Sequence, residues 1–216
     1  MSWCCNFDTV ACALFLATKV SAWLLFNLEN CKMIGKKNIV FGFFYLVLTA
    51  ALGPLMVDMY EDFGKAMGEK QTSVGRLQAL QENDFEEDLE ALSADQIAKA
   101  NTEGLLSLNK LMNTELPIDS IKGGPHAHGN LEALLNIVVG LVICFLAVPI
   151  WLKQLVSWLF IVGTVMHSGM LYLSNVFEFS WAETLLQTGI GPVCVLLGLV
   201  AAGAASFMGF KEGNVS

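Results

Sequence analysis

Five long apolar stretches constrain this chain more than any other feature of its sequence. A helix that crosses the hydrocarbon core of a bilayer needs about 20 mostly apolar residues. Stretches of that kind occur at 9–28, 38–57, 131–152, 155–177 and 184–210. Because these runs are continuous rather than alternating between apolar and polar residues, they predict helices and argue against a β-barrel. We therefore expect an all-α integral membrane protein with five transmembrane helices.

The composition excludes the main soluble classes. The chain has 216 residues, of which 55% are hydrophobic and 15% are charged, whereas a typical soluble domain has about 25% charged residues. A soluble domain of this length would leave too much of that apolar surface in water. An ordinary cytosolic enzyme is therefore excluded. An intrinsically disordered chain is excluded too, because such chains are poor in apolar residues.

The negative charge comes from one hydrophilic segment. Residues 58–130 contain 14 acidic and 6 basic residues, which accounts for the whole net charge of −8. This excess argues against nucleic acid or anionic lipid as a partner. We predict three domains: a transmembrane hairpin at 1–57, an acidic helical extramembrane domain at 58–130, and a three-helix transmembrane region at 131–216.

The acidic segment carries the signals of helices. Ser93 followed by Gln96 fits a capping box, and this predicts a helix that begins there and ends before Pro117. Spacings of three and four residues give this helix one apolar stripe, formed by Ile97, Asn101, Leu105, Leu108 and Met112. Earlier leucines predict another helical stretch, at Leu77, Leu80, Leu89 and Leu92. We expect these helices to pack together or against a partner.

Lysine in the short connections predicts the orientation. The basic residues beside the spans are Lys32, Lys36, Lys37, Lys153 and Lys211. They all lie on the cytoplasmic side if the N-terminus and residues 58–130 are outside and the C-terminus is inside. The first eight residues contain no basic residue, so we expect the first span to be retained rather than cleaved as a signal peptide. In a prokaryote this membrane would be the bacterial inner membrane.

Two of the three histidines lie at the entry to the third span. His126 and His128 lie in a sequence rich in glycine, and Glu132 follows His128 by four residues, so these two can share a helical face. Imidazole and carboxylate ligands suit zinc, copper or iron. The sequence predicts a metal-binding group formed by His126, His128 and Glu132. The alternative is that these polar residues mark the outer membrane interface.

The third histidine, His167, lies near the middle of the fourth predicted span, where an ionisable group is expensive and is by default a candidate for function. Its possible roles are haem ligand, quinone hydrogen-bond partner or proton relay; the alternative is a neutral imidazole in helix packing. Lys19 falls at a similar depth in the first span, and Asn136 lies one turn below Glu132. We predict that His167, Lys19 and Asn136 surround a buried polar cavity or cofactor. One haem shared by His128 and His167 is disfavoured by a depth difference of about 18 Å.

These features support three functional hypotheses. The first is a redox-associated protein that binds a metal, haem or quinone through its histidines for electron transport, as a subunit of a larger membrane complex. The second is a structural or assembly protein that docks a partner through its acidic domain. The third is a small transporter or channel whose path contains Lys19, His167, Asn136 and Glu132. Absorption and metal analysis of the purified protein would separate the first from the other two.

Overall fold

The computed structural model describes residues 34–87 and 89–209. The elements are α1 (Ile34–Ala50), α2 (Leu52–Glu82), β1 (Glu86–Glu87), β2 (Glu90–Ala91), α3 (Ala94–Ile121), the π-helical turn π1 (Lys122–His126), α4 (Ala127–Phe145), α5 (Ile150–Thr164), the π-helical turn π2 (Val165–Gly169), α6 (Met170–Asn175), α7 (Ser180–Gln187) and α8 (Ile190–Gly209). The first predicted span, with Lys19, lies outside the described residues.

Four helical segments in the described ranges are long and apolar enough to cross a membrane by length and composition. They are Ile34–Glu82, Ala94–Phe145, Ile150–Asn175 and Ile190–Gly209. The first two have 49 and 52 residues, more than twice the ~20 that a crossing requires. Their apolar halves coincide with the second and third predicted spans, and their polar halves belong to the acidic segment. This helical architecture agrees with the predicted all-α class.

The third predicted span, 131–152, is too long. The helix α4 ends at Phe145, and α5 begins at Ile150 after a connection of four residues. Pro149 precedes α5 with an extended backbone, at φ −56° and ψ 146°. The ring of a proline disfavours a helical conformation in the residue before it, so the apolar run is divided here although its hydropathy is continuous.

The fifth predicted span, 184–210, is also divided. The helix α7 ends at Gln187, and α8 begins at Ile190. Between them Gly189 adopts φ +69°, a left-handed conformation that glycine reaches without the steric penalty of a side chain. The residues before Gly189 therefore form a separate short helix rather than the start of the span.

The helix α3 begins as predicted but does not end before Pro117. The capping box is confirmed: the backbone N–H of Gln96 donates to the Ser93 hydroxyl at 3.3 Å, and the N–H of Ser93 donates to the Gln96 side chain at 2.8 Å. The helix then continues through Pro117 to Ile121. An interior proline costs about 3 kcal/mol. Burial of Ile118 and Ile121, which are 2% and 4% exposed, offsets that cost.

The described residues form two compact units. The first contains 34–46, Leu131–His167 and 188–209, and the second contains Val47–Asn130 and Ser168–Gln187. The predicted division of the chain into three domains stays a prediction.

In the second unit, α2 and α3 form an antiparallel pair. Lys110 of α3 bonds Glu69 of α2 at 2.6 Å, while Arg76, farther along α2, lies 3.7 Å from Glu103, earlier in α3. Around its ion pairs with α2 the buried residues of α3 are small, namely Ala100, Gly104 and Ser107, whereas Ile118 and Ile121 are buried at its C-terminal end. The side chain of Leu77 occupies the space that a Cβ on Gly104 would need. The two helices therefore pack through small residues and not through the predicted apolar stripe.

A two-stranded hairpin connects α2 to α3 and replaces the later part of the second predicted helical stretch, whose first two leucines, Leu77 and Leu80, lie in α2. Glu86 pairs with Ala91 and Glu87 pairs with Glu90. Phe85 and Leu89 adopt positive φ values of 62° and 67°, which helices exclude. The prediction that Leu89 and Leu92 belong to a helix is therefore wrong.

The first unit packs its helices closely through glycine. A Cβ on Gly140 of α4 would lie 2.6 Å from the carbonyl oxygen of Gly35 in α1, and one on Gly163 of α5 would lie 2.9 Å from the backbone nitrogen of Val195 in α8. Only a residue without a Cβ permits these backbone approaches. An apolar core fills the space around the contacts and contains Val139, Ile143, Leu146, Leu152, Val156, Phe160 and Ala205.

We expect Gly140→Ala to lower the free energy of unfolding by about 1–3 kcal/mol, because the added methyl group overpacks the contact between α1 and α4. Gly203→Ala in α8 is the matched control. Within the described part of the chain nothing lies within 4 Å of a Cβ built there, so helix propensity raises stability by up to ~1 kcal/mol. Thermal unfolding of the purified protein in detergent measures both changes. Equal stability of the two variants would contradict the close packing of α1 on α4.

The hairpin contains an ion pair that makes stability depend on pH. Arg76 donates to both carboxylate oxygens of Glu87, at 3.1 and 2.8 Å. This hydrogen-bonded guanidinium holds the pKa of the Glu87 carboxyl below its usual value of 4.5. Because the pKa is lowered in the folded state, the pair stabilises the fold above pH ~4.5 and loses that effect as the pH falls through the lowered pKa.

We therefore expect Glu87→Gln to unfold at a lower temperature than the wild type at pH 7, and the difference to shrink to zero at strongly acidic pH. The measurement is the midpoint of thermal unfolding between pH 2 and 7. Glu90→Gln is the control, since Glu90 is exposed and forms no ion pair in the described ranges. A difference for Glu87→Gln that is constant with pH would refute this role of the pair.

Candidate functional site

A series of polar side chains runs through the interior of the first unit. We call it the polar chain, and its members are Asn38, Glu132, Asn136, Ser157, Thr164 and His167. The four uncharged residues are all 0% exposed, and Glu132 is 4% exposed. Buried polar groups are costly unless they are hydrogen-bonded. The hydrogen bonds within the polar chain therefore decide whether this buried polar interior is stable.

Three helices place these residues side by side. Glu132 and Asn136 lie one turn apart on α4, and residues three to four apart share a helical face. Ser157 and Thr164 lie two turns apart on α5, while Asn38 comes from the first turns of α1. The turn π2 follows Thr164 and carries His167. Insertions of this kind are frequent at functional sites, because they change the direction in which the following side chains point.

Two buried amides connect the three helices. Asn38 Nδ2 donates to Asn136 Oδ1 at 2.9 Å and to the backbone carbonyl of Ser157 at 3.2 Å. The Ser157 hydroxyl donates to Asn38 Oδ1. Asn136 Nδ2 donates to the Glu132 carbonyl and to the Thr164 hydroxyl, both at 2.9 Å. Each amide thus uses both donor hydrogens and its acceptor oxygen.

The titratable members of the polar chain are a histidine and a glutamate that contact each other. His167 Nδ1 lies 2.5 Å from Glu132 Oε1, and the side chains are 18% and 5% exposed. The two groups are within hydrogen-bond distance, and such a bond is charge-assisted when the imidazole is protonated. In that form the two opposite charges compensate each other inside the unit.

The helical segment that contains His167 begins at Ile150, five residues before the predicted span, and ends at Asn175. His167 lies 17 residues after its start and eight residues before its end, and the depth predicted for it in the membrane stays a prediction. Because α4 and α5 are joined by a four-residue connection, they run antiparallel, and Glu132 near the start of α4 lies opposite the end of the segment that follows.

A lysine lies beyond the other end of the polar chain. Lys37, adjacent to Asn38, donates to Gln154 Oε1 at 2.8 Å, and its ammonium lies 4.1 Å from the centre of the Trp158 ring. Gln154 precedes Ser157 by three residues on α5. From Gln154 to His167 the polar groups extend over 13 residues, which is about 20 Å of helix. Polar side chains thus follow most of the length of this segment.

The other predicted ligands have different neighbours. His126 Nδ1 lies 3.0 Å from the carbonyl oxygen of Thr49, whose hydroxyl donates to Asn130 at 2.7 Å. His128 is exposed. Both histidines belong to the second unit, whereas Glu132 belongs to the first. Among the residues that the structure describes, no group of three or more His, Cys, Asp or Glu has an arrangement that could hold a metal ion. The zinc, copper, iron and haem hypotheses stay predictions.

Sequence reasoning identified part of the polar chain. It singled out His167 and Asn136, and it named Glu132 both as a metal ligand and as part of a transport path with them. The other candidate for the buried cavity, Lys19, lies outside the described residues. Asn38, Ser157 and Thr164 were not predicted, because an uncharged polar residue in an apolar stretch is common in helix packing. A signal was present on α5 and its extension, where Gln154, Ser157, Thr164 and His167 recur at spacings that keep them on one face.

Comparisons with known proteins identify no relative. The chain matches no protein-family description, no curated protein and no solved structure.

The amide network predicts a measurable coupling. We expect Asn38→Ala and Asn136→Ala each to lower the free energy of unfolding by about 1–3 kcal/mol, because each leaves buried partners without a hydrogen bond. The double variant should lose less than the sum by ~0.5–2 kcal/mol, since both changes remove the same bond. Unfolding titrations in detergent measure the four proteins. Asn113→Ala, at an exposed position of α3, is the control and should change stability by less than ~0.5 kcal/mol. Strictly additive losses would show that the two amides do not interact.

Proposed function

We propose that this chain is an integral membrane protein that carries protons along the polar chain, as a small channel or proton-coupled transporter. The His167–Glu132 pair is its proton-binding site. The observation that carries the proposal is the 2.5 Å contact between these two titratable side chains inside a helical unit whose other buried polar side chains, among the described residues, are uncharged.

The distribution of polar and apolar residues supports a membrane location. Large apolar side chains lie on the outside of the helices: Phe44 is 76% exposed, Ile150 is 71% exposed and Phe207 is 94% exposed. The interior holds the buried amides and the carboxylate. This is the reverse of a water-soluble protein, and it is the arrangement expected when lipid surrounds the helices and polar groups pair between them.

The proposed topology has five spans, with the N-terminus and residues 58–130 outside and the C-terminus in the cytoplasm. It rests on the lysines of the short connections and on four segments that satisfy the length requirement for a crossing. The fifth is the predicted span at 9–28.

The chemistry of the pair suits proton transfer. An ionisable group in a membrane span is expensive and is retained where it performs a function. In the pair, a proton that arrives at His167 is balanced by the Glu132 carboxylate, so the cost of a buried net charge is avoided. The imidazole retains 18% exposure, which provides an edge where a proton can enter.

The length of the polar chain also fits this role. Its polar groups cover about 20 Å along α5 and its extension, against a hydrocarbon core of about 30 Å. The hydroxyls of Ser157 and Thr164 can both accept and donate hydrogen bonds. The His167–Glu132 pair lies at one end of the polar chain, and the contact between Lys37 and Gln154 lies beyond its other end.

The redox and assembly hypotheses make different demands. A redox-associated protein needs a bound metal, haem or quinone, and an absorption spectrum with metal analysis of the purified protein tests for one. An assembly protein needs the polar chain only for packing. The proposal instead requires that the pair can be altered so that the fold is retained and proton movement is lost.

The test is proton uptake by vesicles that contain the purified protein, driven by a potassium gradient with valinomycin and followed with a trapped pH-sensitive dye. We expect uptake by the wild type above that of protein-free vesicles. Glu132→Gln and His167→Leu should return uptake to the protein-free level, because neither variant retains both titratable groups. Circular dichroism and thermal unfolding check that each variant is folded.

Matched controls make the same chemical changes outside the polar chain. Glu183→Gln and His128→Leu alter exposed residues and should leave uptake unchanged. If the wild type takes up no more protons than empty vesicles, or if folded His167→Leu protein keeps full uptake, the proposal is wrong.

A further inference from the structure

The helix α3 carries a row of apolar side chains on its surface. Leu105, Leu108, Met112 and Leu116 are 68%, 40%, 58% and 61% exposed. We call this row the α3 stripe. Spacings of three and four residues keep its members on one helical face. Contiguous apolar surface of this kind on a polar domain marks an interaction site.

Packing inside the second unit does not use the α3 stripe. Ala100, Gly104 and Ser107 are buried on the adjacent face of α3, where the side chain of Leu77 in α2 lies against Gly104. The contact between the two helices therefore uses a face of α3 other than the stripe. The α3 stripe therefore keeps much of its apolar surface exposed within the described residues.

The charges around the stripe restrict what can cover it. Three basic residues of the acidic segment 58–130 form ion pairs with glutamates of the same segment: Lys65 with Glu61, Arg76 with Glu87, and Lys110 with Glu69. At the end of the stripe, Glu115 and Asp119 lie four residues apart beside Leu116, and neither forms an ion pair in the described ranges. Lys122, three residues after Asp119, is exposed and also forms no ion pair in the described ranges, so two acidic residues against one basic residue leave a net negative charge at this end of the stripe.

We propose that the α3 stripe binds a basic amphipathic helix of another protein. Such a helix places its own apolar row against the stripe, and its Lys or Arg residues pair with Glu115 and Asp119. A second copy of the chain is disfavoured, because each copy adds a segment with net charge −8. An anionic lipid surface is disfavoured for the same reason. This interaction is independent of proton transport and does not rest on the polar chain.

The test places a photoreactive p-benzoylphenylalanine at Leu108 in the full-length protein, expressed in its native cells. The matched control carries it at Lys99, which is exposed and about 150° around the helix from the centre of the stripe. Illumination should give a protein adduct from position 108 and none from position 99. Mass spectrometry of the linked peptide should identify a helix-forming segment in which basic residues flank an apolar row.

Variants in the same background test the two parts of the interaction. Leu105→Ser with Met112→Ser should lower the adduct yield by about tenfold or more, because the apolar anchors are lost. Glu115→Gln with Asp119→Asn should lower it less at high salt than at low salt, since the salt already screens the charges. Proton uptake by these variants should equal that of the wild type, which separates this proposal from the proposed function.

Several outcomes would overturn the proposal. They are equal adducts from positions 108 and 99, an adduct with a second copy of the chain or with lipid, a linked peptide without basic residues, and no adduct from a folded, membrane-inserted protein. An unchanged yield in the Leu105→Ser, Met112→Ser variant would overturn it as well.

Discussion

The hydrogen bonding of Asn38 and Asn136 is the constraint on which the first unit depends. An amide in an apolar interior must find partners for two donors and one acceptor, and here each amide finds them only if α1, α4 and α5 keep one register. Contacts at Gly35 and Gly140 bring the backbones of α1 and α4 close enough for this. Apolar contacts alone would tolerate sliding of one helix along another, because dispersion is not directional. The amides remove that freedom.

The same register creates the titratable pair. The helix α4 ends shortly before Pro149, and the four-residue connection lets α5 run antiparallel to α4. Glu132 and His167 are 35 residues apart in the chain, yet this geometry brings their side chains within 2.5 Å. The turn π2 inserts one extra residue per turn at His167. The amide network reaches the backbone carbonyl of Glu132, and His167 contacts the carboxylate of the same residue, so the packing network and the titratable pair meet at Glu132.

In the second unit, the antiparallel pair of α2 and α3 follows a different principle. On α3 its contact includes the small residue Gly104, against which Leu77 of α2 packs, and ion pairs at its surface add register. An amphipathic helix normally turns its largest apolar residues inward. In α3 these residues remain exposed, as Leu105 at 68% shows. The helices of this unit therefore pack together without burying the α3 stripe. For this reason we assign the stripe to a binding partner.

The sequence by itself determined the helical class, the apolar stretches and the capping box at Ser93, because hydropathy, periodicity and capping are local properties. It also singled out His167 and Asn136, which the structure places in one buried polar network. It also placed the apolar residues of α3 on one face. Three things were decided by the tertiary structure. Pro117 continues a helix because Ile118 and Ile121 are buried against their surroundings. Glu132 meets His167 because the ends of antiparallel helices are set by a connection whose position hydropathy does not reveal. Asn38, Ser157 and Thr164 matter because they come together across helices, and which faces meet is a property of packing that no single stretch of sequence contains.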